Sequence, residues 1–242
     1  MSPVGDRARL EARVAKKSFR TASGQSFPVI ADLSFALEPG ETGALIGPSG
    51  CGKSTLMRIL AGLDRNFDGS IEVPANGKVG MVFQEPRLLP WRSVEDNLRL
   101  AAPEASKAEV AALFAALGLS EHSAHFPGEL SIGLARRAAL ARAFAVRPTV
   151  LLLDEPFVSL DGPLARQLQR DLARLVESRS MITVLVTHDV DEAIALADRI
   201  FVLSARPAHV VGEIPVKNPR KAMSGEESQA VAAQIEALRE RG

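Results

Sequence analysis

Tyrosine is absent from this chain, and tryptophan and cysteine occur once each. The lone Cys51 rules out an internal disulfide and fits a reducing compartment. So few polar-tipped aromatics leave little platform for stacking the bases of single-stranded nucleic acid. Net charge is missing too. The 29 Lys and Arg balance 29 Asp and Glu, so no overall field draws the chain to nucleic acid or to a membrane surface. No apolar run approaches the ~20 residues of a membrane-crossing helix. The longest, TVLLL and ITVLVT, have the length of buried strands, so a membrane role calls for a partner. The first residues, MSPVGDRARLEARVAKKSF, are charged and lack the apolar stretch of a secretory signal.

What is present is an apolar fraction of 46% over 242 residues, enough core for one α/β domain with an insertion. The SGQSFP stretch reads as a hairpin turn, and ADLSFALEPGE as a strand closed by a Pro-Gly turn. TGALIG and KVGMVFQ are short apolar strands. Between Glu85 and Arg147 strand-like runs disappear. SVEDNLRLAA, SKAEVAALFAALG and LARRAALARAFAV read as helices there. Strands return in TVLLLDEP, ITVLVTHD and IFVLS, separated by helical PLARQLQRDLARLVESR and DVDEAIALADR. That alternation implies right-handed crossovers and a parallel sheet. The Pro-rich ARPAHVVGEIPVKNPRK is expected to be irregular. SGEESQAVAAQIEALRE, with Val231, Ile235 and Leu238 at helical spacing, reads as a terminal surface helix that docks on the domain, docks on a partner, or frays.

The segment GPSGCGKST, from Gly47 to Thr55, satisfies G-x-x-x-x-G-K-[ST] between a strand and a helix. Backbone N–H groups of Gly47, Pro48's neighbours Ser49 and Gly50, and Cys51 and Gly52 can turn inward as an anion nest at the positive end of a helix. Lys53 reaches the β and γ phosphates of a nucleotide and the Ser54 hydroxyl suits Mg²⁺, with Thr55 one step deeper near the α phosphate. In TVLLLDEP the carboxylates of Asp154 and Glu155 emerge at the C-terminal edge of a buried strand, where open α/β sheets take ligands. Asp154 is the candidate holder of Mg²⁺ and Glu155 the candidate base for the attacking water. His188 follows ITVLVT at another strand end and is placed to sense a γ-phosphate. Gln84 ends KVGMVFQ and on its own is an ordinary polar strand end.

Phosphate loop, Gln84, helical stretch, LSIGL, TVLLLDEP, SLD at Ser159–Asp161 and His188 follow one another in an order that resembles the ATP-binding subunit of an ABC transporter, over roughly residues 12 to 214. QEPRLLPWRSVEDNL and HDVDEAIALADRI look most like the subfamily serving nitrate, sulfonate and taurine importers. The resemblance implies an α/β fold: a P-loop NTPase (RecA-like) core with a mainly parallel sheet, an N-terminal antiparallel β subdomain and an inserted helical subdomain. Within one ATP-binding domain spanning 1–242, the core would cover 1–84 and 146–214, the helical insertion 85–145 and a C-terminal extension 215–242. It implies ATP hydrolysis with Mg²⁺, the metal held by Ser54, Gln84 and Asp154. Catalysis falls to Lys53, Gln84, Glu155 and His188. Phe19 is the aromatic for the adenine, the alternative being a core position. Ser131 and Gly133 of the signature would face the nucleotide held by a second copy, and Asp161 belongs to the loop beside it. Leu88, Leu89, Pro90 and Trp91 begin the insertion that receives a membrane subunit, unless Trp91 is core.

Partners implied in the same way are a second copy of the chain, two integral-membrane permease subunits and, through them, an external solute-binding protein. The place is the cytoplasmic face of the cell membrane, with no nucleic acid. The function so implied is energy coupling for an importer of a small anionic or organosulfur or nitrogen solute. The alternatives are a non-transport ABC ATPase and a regulatory subunit of weak hydrolysis. The second is motivated by Ile132 and Leu134, which stand where the family carries glycine and glutamine. If Ser131 caps a helix, Ile132 is its first residue and needs only a negative φ. Leu134 cannot make a polar contact to ribose, a loss of ~1 kcal/mol that tunes affinity.

Overall fold

The computed structural model describes residues 9–75, 77–217 and 224–241. They form two compact units, Met1–Asn76 with Ile182–Gly242, and Gly77–Met181. The first unit opens with β1 (Leu10–Arg20), β2 (Ser26–Leu37), β3 (Thr42–Ile46), α1 (Lys53–Leu60) and β4 (Asp68–Glu72). The second unit holds β5 (Val79–Val82), α2 (Val94–Ala101), α3 (Lys107–Ala116), α4 (Ile132–Ala145), β6 (Val150–Asp154) and α5 (Gly162–Glu177). The first unit resumes with β7 (Ile182–Val186), α6 (Val190–Leu196), β8 (Arg199–Leu203), β9 (Val210–Pro215) and α7 (Gly225–Arg239).

In the first unit every residue of β3 and β7 is buried. Strands apolar on both faces belong inside a parallel sheet, and β3 lies between β7 and β8, parallel to both. α1 turns Leu56, Met57, Ile59 and Leu60 into the core. A separate antiparallel sheet runs β2-β1-β4. The expected hairpin turn is there between β1 and β2, closed by the Gly24 N–H donating to Thr21. β4 has no counterpart among the expected strands, because DGSIE carries a single large apolar residue and is assigned by its partner β1 alone.

The stretch after Ser204 is not irregular throughout. Val210–Pro215 forms β9, antiparallel to β8. Its proline sits at the end of an edge strand, where a missing N–H costs no ladder bond. The terminal helix is docked: α7 packs on α6, β8 and β9, burying Ile235 and Val231. Leu238 lies directly over Gly212 of β9, where a Cβ would come within 2.7 Å of its Cδ1.

In the second unit β5 and β6 pair in parallel. Two of its helices start on serines that cap them: Ser93 accepts from the Asp96 N–H, and Ser106 with Glu109 forms a reciprocal capping box before α3. Capping hydrogen bonds from Ser106, with the Arg147 guanidinium adding to them, hold the Glu109 carboxyl at about 2. The helical segment expected at 85–145 lies within this unit, which also carries β5, β6 and α5.

If α7 belongs to the fold of the first unit, Ile235→Ala should destabilise the chain by about 2–4 kcal/mol. Denaturant unfolding followed by circular dichroism measures it, and an unchanged midpoint would mean that the helix contributes nothing to the core.

Candidate functional site

In the first unit, β3 delivers the chain into the loop Gly47–Gly52 and α1 begins at Lys53. The loop closes on itself. Cys51 N–H donates to the Pro48 carbonyl at 3.2 Å, and the Lys53 ammonium donates to the carbonyls of Gly47 at 2.7 Å and Pro48 at 2.9 Å. Two of the three lysine donors thus hold the loop's shape. Gly52 has φ 132°, and a Cβ there would meet the Val29 side chain of β2 at 2.9 Å. Only glycine fits both the backbone angle and the space. The Cys51 thiol is buried, whereas Pro48, Ser49, Gly50 and Ser54 are exposed and Thr55 is half-buried.

His188 is exposed and sits in a stiff turn between β7 and α6. Thr187 accepts from the Asp189 N–H at 3.0 Å, and Asp189 caps α6 through the N–H groups of Asp191 and Glu192. A cavity of 390 Å³ is lined by Gly47, Pro48 and Ser49, by His188, by Leu203 and Ala205, and by Arg239 of α7. The histidine and the phosphate loop are therefore brought to one place, together with an arginine that carries no motif in the sequence.

Phe19 is not core: it is 46% exposed. It pairs across the strands with Phe27, and the Lys17 ammonium lies 4.6 Å from its ring centre. Arg206 lies 4.6 Å from the ring centre of Phe27 and donates to the Gly50 carbonyl. Arg206 thus ties the aromatic pair to the phosphate loop, a link with no sequence signal.

The second unit carries the remaining candidates. Asp154 ends β6 and is buried; Glu155 comes next with φ 46°, a left-handed backbone that strains a non-glycine residue. The Gln84 amide nitrogen points at a Glu155 carboxylate oxygen at 3.5 Å. Arg136 of α4 is 6% exposed and donates from Nη1 to the Gln84 carbonyl at 2.7 Å. Burial pushes its guanidinium below the ordinary value, and the Glu155 charge pulls it back up.

Ser131 is the N-cap of α4 and accepts from the Leu134 N–H at 3.3 Å. Ile132 is the first helical residue, without a positive φ, and is 61% exposed. Gly133 is buried, and a Cβ there would come within 2.5 Å of the Leu164 side chain of α5. That close approach favours a small residue there. Asp161 caps α5 by accepting from Leu164 N–H at 2.9 Å. Trp91 is 69% exposed and is not core. A cavity of 580 Å³ lined mainly by Ala105, Ala112, Leu113, Ala116, Phe144 and Leu175 is larger than the one at the loop, but it holds none of the candidate residues.

The chemistry of the first unit's loop suits a nucleoside triphosphatase: an anion-binding turn with a lysine at a helix start. Comparison with known proteins agrees. The ABC transporter family matches residues 30–158. An aliphatic sulfonates import ATP-binding protein, SsuB 2 of Pseudomonas syringae pv. tomato, is 44% identical, covering 86% of this chain and 87% of its own. SsuB 1 of Xanthomonas axonopodis pv. citri is 41% identical, covering 87% of each. Among solved structures, a dimeric ATP-binding cassette in a post-hydrolysis state with ADP and Pi has a TM-score of 0.73 at 24% identity, over 86% of this chain and 99% of that one. This chain belongs to the ABC transporter family. It is an ATP-binding, ATP-hydrolysing subunit of the energy-coupling kind, not the non-transport ATPase weighed as an alternative.

Gly133→Ala should lower stability and turnover modestly, because the Leu164 side chain must turn aside to admit the new methyl group. Leu164→Ala in the same chain is expected to restore them. Failure of the second substitution to rescue would mean that Gly133 is needed for something other than space.

Proposed function

We propose that this chain drives uptake of aliphatic sulfonates. It acts as a homodimer at the cytoplasmic face of the inner membrane, beneath two permease subunits fed by an external solute-binding protein. The identity to aliphatic sulfonates import proteins over nearly the whole chain carries the reading. Among the described residues no helix is long and apolar enough to cross a membrane, which agrees with a peripheral place. Exposed Trp91 and Leu100 offer apolar surface for a permease.

Each residue then has a task. The loop N–H groups and Lys53 hold the β and γ phosphates. Mg²⁺ would screen phosphate charge, held by the oxygens of Ser54, Asp154 and Gln84, a hard donor set that suits it. Glu155 takes the proton of the attacking water, and His188 donates to the γ-phosphate. Phe19 stacks against the base. The exposed end of α4 presents Ser131 and the Gly133 N–H to the nucleotide held by the second copy, and Asp161 lies in the loop beside it.

Charge-assisted hydrogen bonds contribute ~1.5–3 kcal/mol each, so Lys53→Ala should cost at least ~10-fold in ATP affinity or turnover. Glu155→Gln should lower turnover by ~100-fold or more while ATP still binds and the dimer persists on gel filtration. Ser131→Arg should likewise stop hydrolysis. Wild-type turnover in either variant removes that residue from the mechanism. Vesicles carrying the complete transporter are expected to accumulate ethanesulfonate only with ATP inside the coupled compartment. If they accumulate no alkanesulfonate, the solute assignment is wrong while the ATPase stands.

A further inference from the structure

Arg136 is a buried cation in an unusual position. It leaves α4 five residues after the N-cap Ser131 and is 6% exposed. Nη1 donates to the Gln84 main-chain carbonyl at 2.7 Å. Nε is buried and meets no hydrogen-bond acceptor among the described residues. An arginine with an unpaired buried donor is costly unless a negative charge offsets it, and Glu155 supplies that charge. Glu155 is in turn the acceptor toward which the Gln84 amide nitrogen points, at 3.5 Å. Signature helix, Gln84 and Glu155 are thus joined within one compact unit by a single side chain. A fold needing only to fill this space would do so with an apolar residue and avoid the orphaned donor.

We propose that Arg136 is a positioning residue for hydrolysis: by holding the Gln84 backbone from the signature helix, it sets the approach of the Gln84 side chain to Glu155. Motion of α4 is thereby passed to the Gln84 segment without a ligand between them. The role rests on the assignment of Gln84 and Glu155 to catalysis under the proposed function. It differs from a direct role because Arg136 reaches Gln84 through the main chain, so the effect must travel through the glutamine side chain.

A double-mutant cycle on the full-length chain tests this. Arg136→Gln is expected to lower kcat by ~10-fold, the size of one charge-assisted hydrogen bond, with affinity for a fluorescent ATP analogue changed less than ~2-fold. Arg136→Lys, which keeps the charge and one donor, should fall between the two, and it replaces Arg136→Gln in the cycle if that variant does not fold. In a Gln84→Ala background, where the side chain that Arg136 positions is gone, the Arg136 substitution should cost no further turnover. Additive losses, or a parallel fall in kcat, ATP affinity and melting temperature, overturn the role and leave Arg136 as a structural residue. A Gln84→Ala chain with wild-type turnover overturns it as well and removes Gln84 from catalysis. The Glu155→Gln result reports separately on the base.

Discussion

Everything at the nucleotide loop depends on parallel pairing about β3. Parallel strands end on the same side of their sheet, so the segments leaving β3, β7 and β8 must emerge together. The phosphate loop leaves β3, His188 lies just past β7, and Ala205 and Arg206 lie just past β8. Complete burial of β3 and β7 keeps both strands inside the sheet, as apolar residues on both faces require. The Lys53 bonds to Gly47 and Pro48 then stiffen the loop from within. A preformed loop spends less binding energy on ordering itself around phosphate.

The second unit meets a different demand, holding charge and strain together at the end of β6. Glu155 has a left-handed backbone and Arg136 a nearly inaccessible guanidinium. The carboxylate offsets the cation, the cation anchors the Gln84 carbonyl, and the Gln84 amide faces the carboxylate. Arg137 on the same helix takes the ordinary course, pairing with Asp171 at 2.7 Å. The contrast between adjacent arginines shows that helix direction, not residue type, decides which one reaches the Gln84 carbonyl.

Much of this was legible in the sequence. The parallel strands were apolar runs of the right length, Ser131 was expected as a helix cap, and the phosphate loop was a complete motif in its required context. What escaped was set by distant packing. β9 hid in a Pro-rich stretch because an edge strand needs only one partner. The docking of α7 depends on Gly212, whose missing side chain leaves room for Leu238. Gly133 looked like a phosphate-contact glycine, yet Leu164 of α5 also favours a small residue there. Arg136 carried no signal, since its target lies 52 residues away along the chain.

The departures at Ile132 and Leu134 can be judged from which atoms a helix start presents. Its unsatisfied donors are main-chain N–H groups of the first turn, and these do not depend on the side chains that accompany them. The Ser131 oxygen accepts from the Leu134 N–H, which uses a lone pair and leaves the hydroxyl proton as a donor. Capping the helix and donating to a phosphate are therefore compatible acts of one hydroxyl. Ile132 is exposed with an ordinary helical backbone, so its branched side chain imposes no local strain. Under the proposed function it adds bulk at the face turned to a second copy. The consequence, under that same function, falls on how closely two copies meet, while the Ser131 hydroxyl and the Gly133 N–H keep the arrangement of an ordinary helix start.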